Sequence, residues 1–527
     1  MKILVCDEIP EKGLAKLRAI PKAKVAVQTG LPPAQLAEAV KECEGIVVRS
    51  GSKITEEVLQ RAGKLRAIAR AGMGYDNIDL EAATKRGVIV MNTPGSNAVT
   101  TAEHAIAMMM ALARNIPQAH ASLHAGKWDR KKFIGTELAG KTLGVIGLGN
   151  VGREVSRRAR GLKMEVLGYD PFISETAAAE AGAQWVSLQS LYEKSDFITI
   201  HTMLNESTRH MIGKDAFAKM KNRVRLINCA RGEIVDESAL LHALNSGKVV
   251  GAALDVFENE PLPADHPLLR HERVITTPHL GASTDEAQEQ VALAAADQLY
   301  AYFVDGLIIN AVNVPNVSRE VLATLGPYIN LAERLGSLLG QLGAESIQEV
   351  RVECAGEITK YDTAAITSAA LKGLMSHLSS VSVNFVNALP MAKERGIRIS
   401  ELRTQEAAGF TSMVTAGIRG GKEEHLVSGS VFGRKYERLV RFNQFYMEVL
   451  PKGHLLLIEN VDKPGVVGKW GTILGANKVN ISQMQVALDE QSKKALAVVN
   501  IDSAASPKVI QKLRAVTDIR SVRQVKL

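Results

Sequence analysis

The run from Thr142 to Asp170, TLGVIGLGNVGREVSRRARGLKMEVLGYD, leaves a chain few ways to fold. It opens with a short β-rich segment, Thr142 to Ile146, then turns through Gly147, Gly149 and Gly152 in the spacing G-x-G-x-x-G. Val151, Val155 and Ala159 fall on one face of a helix predicted from Val151 to about Leu162. A second apolar run, Met164 to Tyr169, stops at Asp170. Strand, glycine turn, helix, strand and terminal acid, in that order, make a dinucleotide-binding unit. Gly147 permits the tight turn, Gly149 lets the backbone approach a pyrophosphate, and Gly152 lets the helix pack closely on the strand. Free N–H groups and the positive dipole end at the helix start favour phosphate. Asp170 can accept hydrogen bonds from an adenosine ribose and would repel a 2′-phosphate, so the unit points to NAD rather than NADP. Among 43 glycines a lone G-x-G-x-x-G could arise by chance, and it is the flanking strands and the acid that give this one its weight.

At 527 residues the chain has room for roughly three or four domains of about 150 residues each. Its four cysteines, Cys6, Cys43, Cys229 and Cys354, are scattered without C-x-x-C spacing. That argues against a zinc site or a disulfide framework and for a reducing compartment. The opening MKILVCDEIP places acids directly after a very short apolar run, unlike a signal peptide, and no segment reaches the roughly 18 apolar residues of a membrane span. A soluble, cytoplasmic protein with no membrane partner is expected. The net charge of +8 is dispersed, and aromatics make up only 4%, so neither a basic block nor a stacking platform for nucleic acid stands out. A small anionic substrate accounts for the local basic clusters equally well.

Residues 1 to about 95 alternate strand-like and helical runs without a G-x-G-x-x-G, which predicts a second, cofactor-free doubly wound domain and a candidate substrate domain. Ser96 to about Ile116 is predicted as a long helix, with Thr100 and Glu103 fitting a capping box and HAIAMMMALA suited to burial between two domains. GKWDRKKF, Gly126 to Phe133, is expected to be an exposed basic loop. Beyond Asp170, strand-like runs at Phe197–His201, Arg225–Asn228, Gly251–Asp255 and Val274–Thr277 each end in a polar cluster, on the edge where ligands of such sheets bind. Ser283 to about Leu307 is expected as a helix that returns the chain to the first domain, and Asn310 to Ser318 as a linker. Residues 319 to about 450 alternate helix and strand again, with a glycine-rich turn at Gly417–Gly421 and no catalytic constellation. From Gly453 the order is strand, helix, strand, strand, helix, strand, with a hairpin at Asp489 to Lys493, which is a ferredoxin-like module.

Three residues just past predicted strands carry chemistry: Arg231, Glu260 and His279. Oxidation of an alcohol by NAD removes a hydride from carbon and a proton from oxygen. Histidine suits the proton, a carboxylate such as Glu260 can hold the imidazole in one tautomer, and an arginine can fork onto a substrate carboxylate. Taken singly, each has an ordinary structural alternative: a helix cap, a surface acid or an ion-pair partner. Their common place at one sheet edge favours the catalytic reading.

TLGVIGLGNVGREV, NCARGEIVDE, ALDVFENEP and TPHLGAST resemble the signature blocks of D-2-hydroxyacid dehydrogenases. VVRSGSKIT, RAGMGYDNID and NTPGSNAVTTAEHA narrow the resemblance to the phosphoglycerate dehydrogenase branch, and the tail is similar to its long form. The resemblance implies an α/β chain of two doubly wound Rossmann-like domains plus an α/β intervening domain and a ferredoxin-like ACT domain. It assigns 1–95 and 283–310 to a discontinuous substrate-binding domain, 96–282 to the NAD-binding domain, 316–450 to the intervening domain and 453–527 to the ACT regulatory domain. It also implies oxidation of 3-phospho-D-glycerate to 3-phosphohydroxypyruvate, the entry to L-serine synthesis, with Arg231 on the substrate carboxylate and His279 taking the proton as Glu260 steadies it. Asn150, Val151, Thr202, Cys229, Ala230, Asp255, Gly281 and Ala282 would join the glycines, Arg231 and His279 around NAD. Arg49, Arg70, Gly74, Asn97 and Arg130 would lie near the substrate. VDKPGVVG and VNIS, with Asp462 and Asn480, imply an L-serine effector site, although Asn460 replaces the aromatic or histidine of some serine-inhibited relatives. A homo-oligomer, dimer or tetramer, is expected.

Overall fold

Short apolar strands alternating with helices favour parallel sheets covered on both faces, because a parallel crossover needs a helix to bring the chain back. The computed structural model describes residues 1–315, 319–343, 347–379, 382–421, 423–489 and 493–527. In it, β1 Lys2–Val5, β2 Lys24–Val27, β3 Gly45–Val48, β4 Ala67–Arg70 and β5 Ile89–Asn92 form a five-stranded parallel sheet in the order β2-β1-β3-β4-β5. The central β3 is buried along its whole length, as its unbroken apolar run requires.

The second parallel sheet contains β6 Thr142–Ile146, β7 Glu165–Tyr169, β8 Gln184–Trp185, β9 Phe197–Ile200, β10 Val224–Asn228, β11 Val249–Leu254 and β12 Val274–Thr276, ordered β12-β11-β10-β9-β6-β7-β8. The order reverses beside β6, so the glycine turn opens at the switch point where such sheets leave a crevice. The two-residue β8 is too short to leave a periodic signal and was not anticipated.

Two helices join these bodies. The Ala98–Arg114 helix begins a turn before the proposed capping box, with Asn97 at its N-cap and no side-chain cap. Thr100 instead meets the Thr284 hydroxyl at 3.4 Å, and Glu103 pairs with Arg158. The helix ends at Asn115, whose φ of 53° is left-handed, and the chain continues as a second helix, Ile116–His124. Its apolar face does not lie between the two bodies. Ala102, Ala105, Met109 and Leu112 pack with Leu143 and Val145 of the seven-stranded sheet and with Val155 of the helix that follows β6. The Asp285–Tyr300 helix returns the chain as expected, burying Val291, Ala295, Ala296 and Leu299 with Ile3, Val5 and Leu17 of the first body.

From residue 319 helix and strand alternate as expected as far as Arg398–Thr404, after which four strands follow one another with no helix between them. The Arg319–Leu342 and Ala364–Met375 helices pack together, and a Cβ at Gly336 or Gly373 would sit 1.9 Å from a carbonyl oxygen of the facing helix. They share a core with a six-stranded sheet made of β13 Glu349–Gly356, β14 Arg398–Thr404, β15 Ser412–Gly420, β16 Glu423–Phe432, β17 Tyr436–Phe442 and β18 Phe445–Val449. The order is β14-β13-β15-β16-β17-β18, with β13 and β14 parallel and the other pairs antiparallel. Gly417 therefore lies within β15, opposite Leu426, and not in a turn; only Gly421 takes the left-handed φ. Val386 is buried in the core of the first body, and the Asn384 amide donates to the Gly87 carbonyl at 2.8 Å. The last unit is the expected βαββαβ, with β19 His454–Val461, β20 Ile481–Asp489, β21 Lys494–Ile501 and β22 Ile519–Lys526 in the order β20-β21-β19-β22. Residues 490–492 of its hairpin lie outside the described residues, as do 316–318 of the expected linker. Among the described residues no helix is long and apolar enough to cross a membrane.

A Cβ at Gly152 would stand 1.9 Å from the Gly147 carbonyl oxygen. Gly152→Ala should therefore destabilise the seven-stranded unit by about 1–3 kcal/mol through overpacking. Thermal melting checks this, and an unchanged melting temperature would disprove the tight contact.

Candidate active site

The glycine turn is built as its chemistry demands. Gly147 takes a φ of +89°, and a side chain there would run into the His201 carbonyl. Gly149 is the N-cap of the Asn150–Gly161 helix, with no side chain capping the first turn, and a Cβ on it would meet nothing within 4 Å. The uncapped N–H groups of that turn face open space suited to a phosphate. Asp170 follows β7, and its carboxylate accepts the Leu148 and Phe172 N–H groups at 3.0 and 2.9 Å, which fixes it beside the turn.

Gly149, Asn150 and Val151 form one wall of a cavity of about 380 Å³ between the two parallel-sheet bodies. Thr202, Cys229, Ala230, Arg231, Asp255, His279, Gly281 and Ala282 also line it, as do Arg49, Arg70, Gly74 and Asn97. Glu260 stands behind His279, its Oε2 2.7 Å from Nδ1, and its Oε1 accepts the Phe257 N–H at 3.1 Å. Burial works against ionisation of Glu260, but the His279 hydrogen bond and charge outweigh it and hold the carboxyl below its usual range. His279 itself has a φ of 54°, in the region that disfavours a bulky residue. Its N–H donates to the Asp255 carbonyl at 2.9 Å.

Asp255 anchors the loop on which His279 sits. The carboxylate is fully buried. Oδ1 accepts the Thr277 hydroxyl at 2.6 Å and the Leu280 N–H at 2.7 Å, and Oδ2 accepts the Gly281 N–H at 2.8 Å. Burial would raise its pKa, but hydrogen bonds from His104, Thr277 and Leu280 hold it down, so it is an anion. His104, Cys229 and Asp255 bring ligand-type atoms within 4.8 Å of one another. The Asp255 oxygens there are already occupied by backbone and hydroxyl donors, and burial pushes the Cys229 thiol up, away from thiolate.

Cations face the cavity from both walls. Arg231 donates from Nε to Asp76 Oδ2 at 2.9 Å across the cleft, and its Nη2 lies where a Cβ of Gly74 would be. Arg70 is largely buried with no carboxylate partner among the described residues, and burial and the nearby Arg231 charge push it down to about 10. It therefore remains a cation at neutral pH. Arg49 is fixed by its own N–H donating to Asp7 and by Nη1 donating to the Glu8 carbonyl at 3.1 Å.

Residues 106–281 match the D-isomer specific 2-hydroxyacid dehydrogenase NAD binding domain, and residues 324–443 match the D-3-phosphoglycerate dehydrogenase intervening domain. A D-3-phosphoglycerate dehydrogenase of Archaeoglobus fulgidus is 41% identical over 529 residues, covering 100% of each chain. The chain belongs to the D-3-phosphoglycerate dehydrogenase family. A second member, from Bacillus subtilis, is 40% identical and spans 100% of this chain and 99% of its own. Among solved structures, the NAD+-bound 3-phosphoglycerate dehydrogenase of Entamoeba histolytica is 31% identical with a TM-score of 0.52, over 60% of this chain and 99% of that one.

Two expectations drawn from the D-3-phosphoglycerate dehydrogenase resemblance need qualification. Arg130 does not line the cavity of its own chain. It sits on an exposed turn, Arg130–Phe133, beyond the Ile116–His124 helix, which buries none of its residues. Asp255 lines the cavity, but its oxygens are engaged by protein donors. Three further contributors carried no sequence signal of their own as site residues. Asp76 lies inside the quoted RAGMGYDNID block and His104 inside NTPGSNAVTTAEHA, and no local pattern says what either will face. His201 closes the predicted Phe197–His201 run, and burial pushes its imidazole down to about 3, so it stays neutral in the cavity wall.

Because the folded Glu260 pKa lies below its ordinary value of about 4.3, its stabilising contribution is present above that pH and disappears as pH falls through the lower folded value. Wild type should thus lose more stability than Glu260→Gln between neutral pH and about pH 3. Denaturant titrations at the two pH values decide this, and parallel losses would contradict the Glu260–His279 link.

Proposed function

We infer that the chain is an NAD-dependent dehydrogenase that oxidises 3-phospho-D-glycerate to 3-phosphohydroxypyruvate, the first step toward L-serine. The observation that carries this reading is the convergence of Arg49, Arg70 and Arg231 on the cavity that His279 also lines. A carboxylate and a phosphate on one small molecule require several cations, and among the described residues only Arg231 of the three has an acidic side-chain partner at hydrogen-bond distance in the cleft. The uncapped helix start and the open space at Gly149 fit a dinucleotide pyrophosphate.

The protein's own groups then divide the work. Bound NAD supplies the hydride acceptor. Arg231, steadied through Nε by Asp76, presents its remaining N–H groups to the substrate carboxylate. With Glu260 ionised, His279 Nδ1 carries the proton in their hydrogen bond, which leaves Nε2 free to take the hydroxyl proton. Glu260 then stabilises the imidazolium. Arg49 and Arg70 serve the phosphate, and Gly74 and Asn97 give the substrate room. Asn150, Val151, Thr202, Cys229, Ala230, Gly281 and Ala282 form the cofactor side, with Asp170 on the ribose.

The terminal βαββαβ unit is proposed as an ACT-type regulatory domain taking L-serine near Asp462 and Asn480. Asp462 directly follows β19, and the Asn480 amide, just before β20, donates to Asp502 at 2.7 Å. The chain is further proposed to act as a homo-oligomer in a reducing, cytoplasmic setting. In support, its four cysteines are free and buried, and Trp128 and Ile134 stand 77% and 81% exposed on the arm that carries Arg130. A role for Arg130 at a substrate would need that arm to reach a second copy. Sedimentation as a monomer would remove the oligomer proposal.

NADH should form from 3-phosphoglycerate far faster than from D-lactate or D-glycerate. His279→Ala and Arg231→Ala should lose activity, by roughly 10²-fold or more for the histidine, while still binding NAD. Turnover of unphosphorylated acids alone would overturn the substrate assignment, and near-normal turnover in the variants would overturn the catalytic one. In the same assay L-serine should inhibit, and a flat response at millimolar serine would remove the effector proposal.

A further inference from the structure

His104 lies on the Ala98–Arg114 helix, behind Asp255 and off the cavity wall, so it touches neither substrate nor cofactor space. Its Nε2 is 3.2 Å from Asp255 Oδ1 and 3.2 Å from the Thr277 hydroxyl. The Thr277 hydroxyl donates its own proton to Asp255 Oδ1 and so accepts in the His104 contact, which places the proton on Nε2, beside both Thr277 and Asp255. The same carboxylate takes the N–H groups of Leu280 and Gly281, the two residues that follow His279, and the Asp255 carbonyl takes the His279 N–H. The loop is tightly seated: a Cβ on Gly281 would lie 3.2 Å from Asp255 Oδ2 and 3.4 Å from Thr101 on the His104 helix. A buried anion that loses one of its donors shifts toward the others, and here the others are the loop itself.

We propose that His104 is a positioning residue for His279: its Nε2–H fixes the Asp255 carboxylate, which fixes the Thr277–Gly281 loop and with it the imidazole. The inference rests on the dehydrogenase reading of His279. Cys229, whose sulfur is within 4.8 Å, is the other titratable group of this cluster, and as a buried thiol it cannot replace the histidine as a strong donor.

The test uses the full chain with His104→Leu, His104→Asn and His104→Gln. Leucine removes the donor, asparagine holds its amide short of Asp255, and glutamine can place an N–H near the Nε2 position. His104→Leu and His104→Asn should lower kcat roughly tenfold to a hundredfold, the range that small misplacement of a reacting group produces, with KM for 3-phosphoglycerate and for NAD near wild type. His104→Gln should recover most of the loss. The amides of Leu280 and Gly281 should exchange hydrogen faster in the leucine and asparagine variants than in wild type. Wild-type kcat in His104→Asn, an equal fall in His104→Gln, or a change confined to KM overturns the proposal. Unchanged exchange at Leu280 and Gly281 overturns it whatever the turnover. A wild-type enzyme inactive on 3-phosphoglycerate would instead strike the functional reading, leaving the exchange measurement to decide the role of His104. If His104→Leu fails to fold, the asparagine and glutamine pair decides alone.

Discussion

A carboxylate removed from water is tolerated only where donors replace the solvent it has lost, and Asp255 is such a group. It is fully buried at the end of β11, and every donor that satisfies it comes from a different stretch of chain or from the loop that follows β12. The loop is held in a conformation that places His279 at a positive φ, an arrangement that costs energy and needs surrounding contacts to impose it. The Ala98–Arg114 helix, which brings the chain into the second body, and the loop from which the chain departs are thereby tied to one anion. The position of His279 and the crossing between the two bodies thus share a single electrostatic anchor.

The second body also reaches across the cleft to the first. Arg231 lies at the end of β10, while Asp76 and Gly74 belong to the segment after β4, so the guanidinium is oriented by the opposite wall. An exposed ion pair of this kind contributes little stability by itself. Its value lies in aiming the fork of a residue whose planar geometry suits a carboxylate. The intervening unit contacts the same first body through Val386 and Asn384, close to β5, which leads directly to Asn92 on the cavity wall. The intervening unit is thus in physical contact with the body that brings Arg49 and Arg70 to the cleft.

Much of this was legible beforehand because its signals are local. The G-x-G-x-x-G turn, the apolar runs of the central strands and the alternating pattern of the last module each specify backbone conformation through neighbours a few residues away. The shortest strand, β8, offered no period to detect. The capping box at Thr100 and Glu103 failed because both side chains found tertiary partners, Thr284 and Arg158, that outcompete a local cap. Residues 319–450 alternate only through β14, because the parallel pair β13 and β14 needs a helical crossover whereas β15 to β18 run as an antiparallel meander joined by short turns.

The sequence by itself determined the dinucleotide turn, the identities of Arg231, Glu260 and His279, and the family to which the chain belongs. These follow from residue type and near-neighbour spacing, which fix backbone conformation and chemical capability. Only the tertiary structure decided that Arg130 lies outside its own cleft, that Asp76 orients Arg231, and that His104 stands behind Asp255. Asp76 and Arg231, for instance, stand 155 positions apart along the chain. Such a separation carries no local preference, so the pairing is set by the summed path of the strands and helices between them.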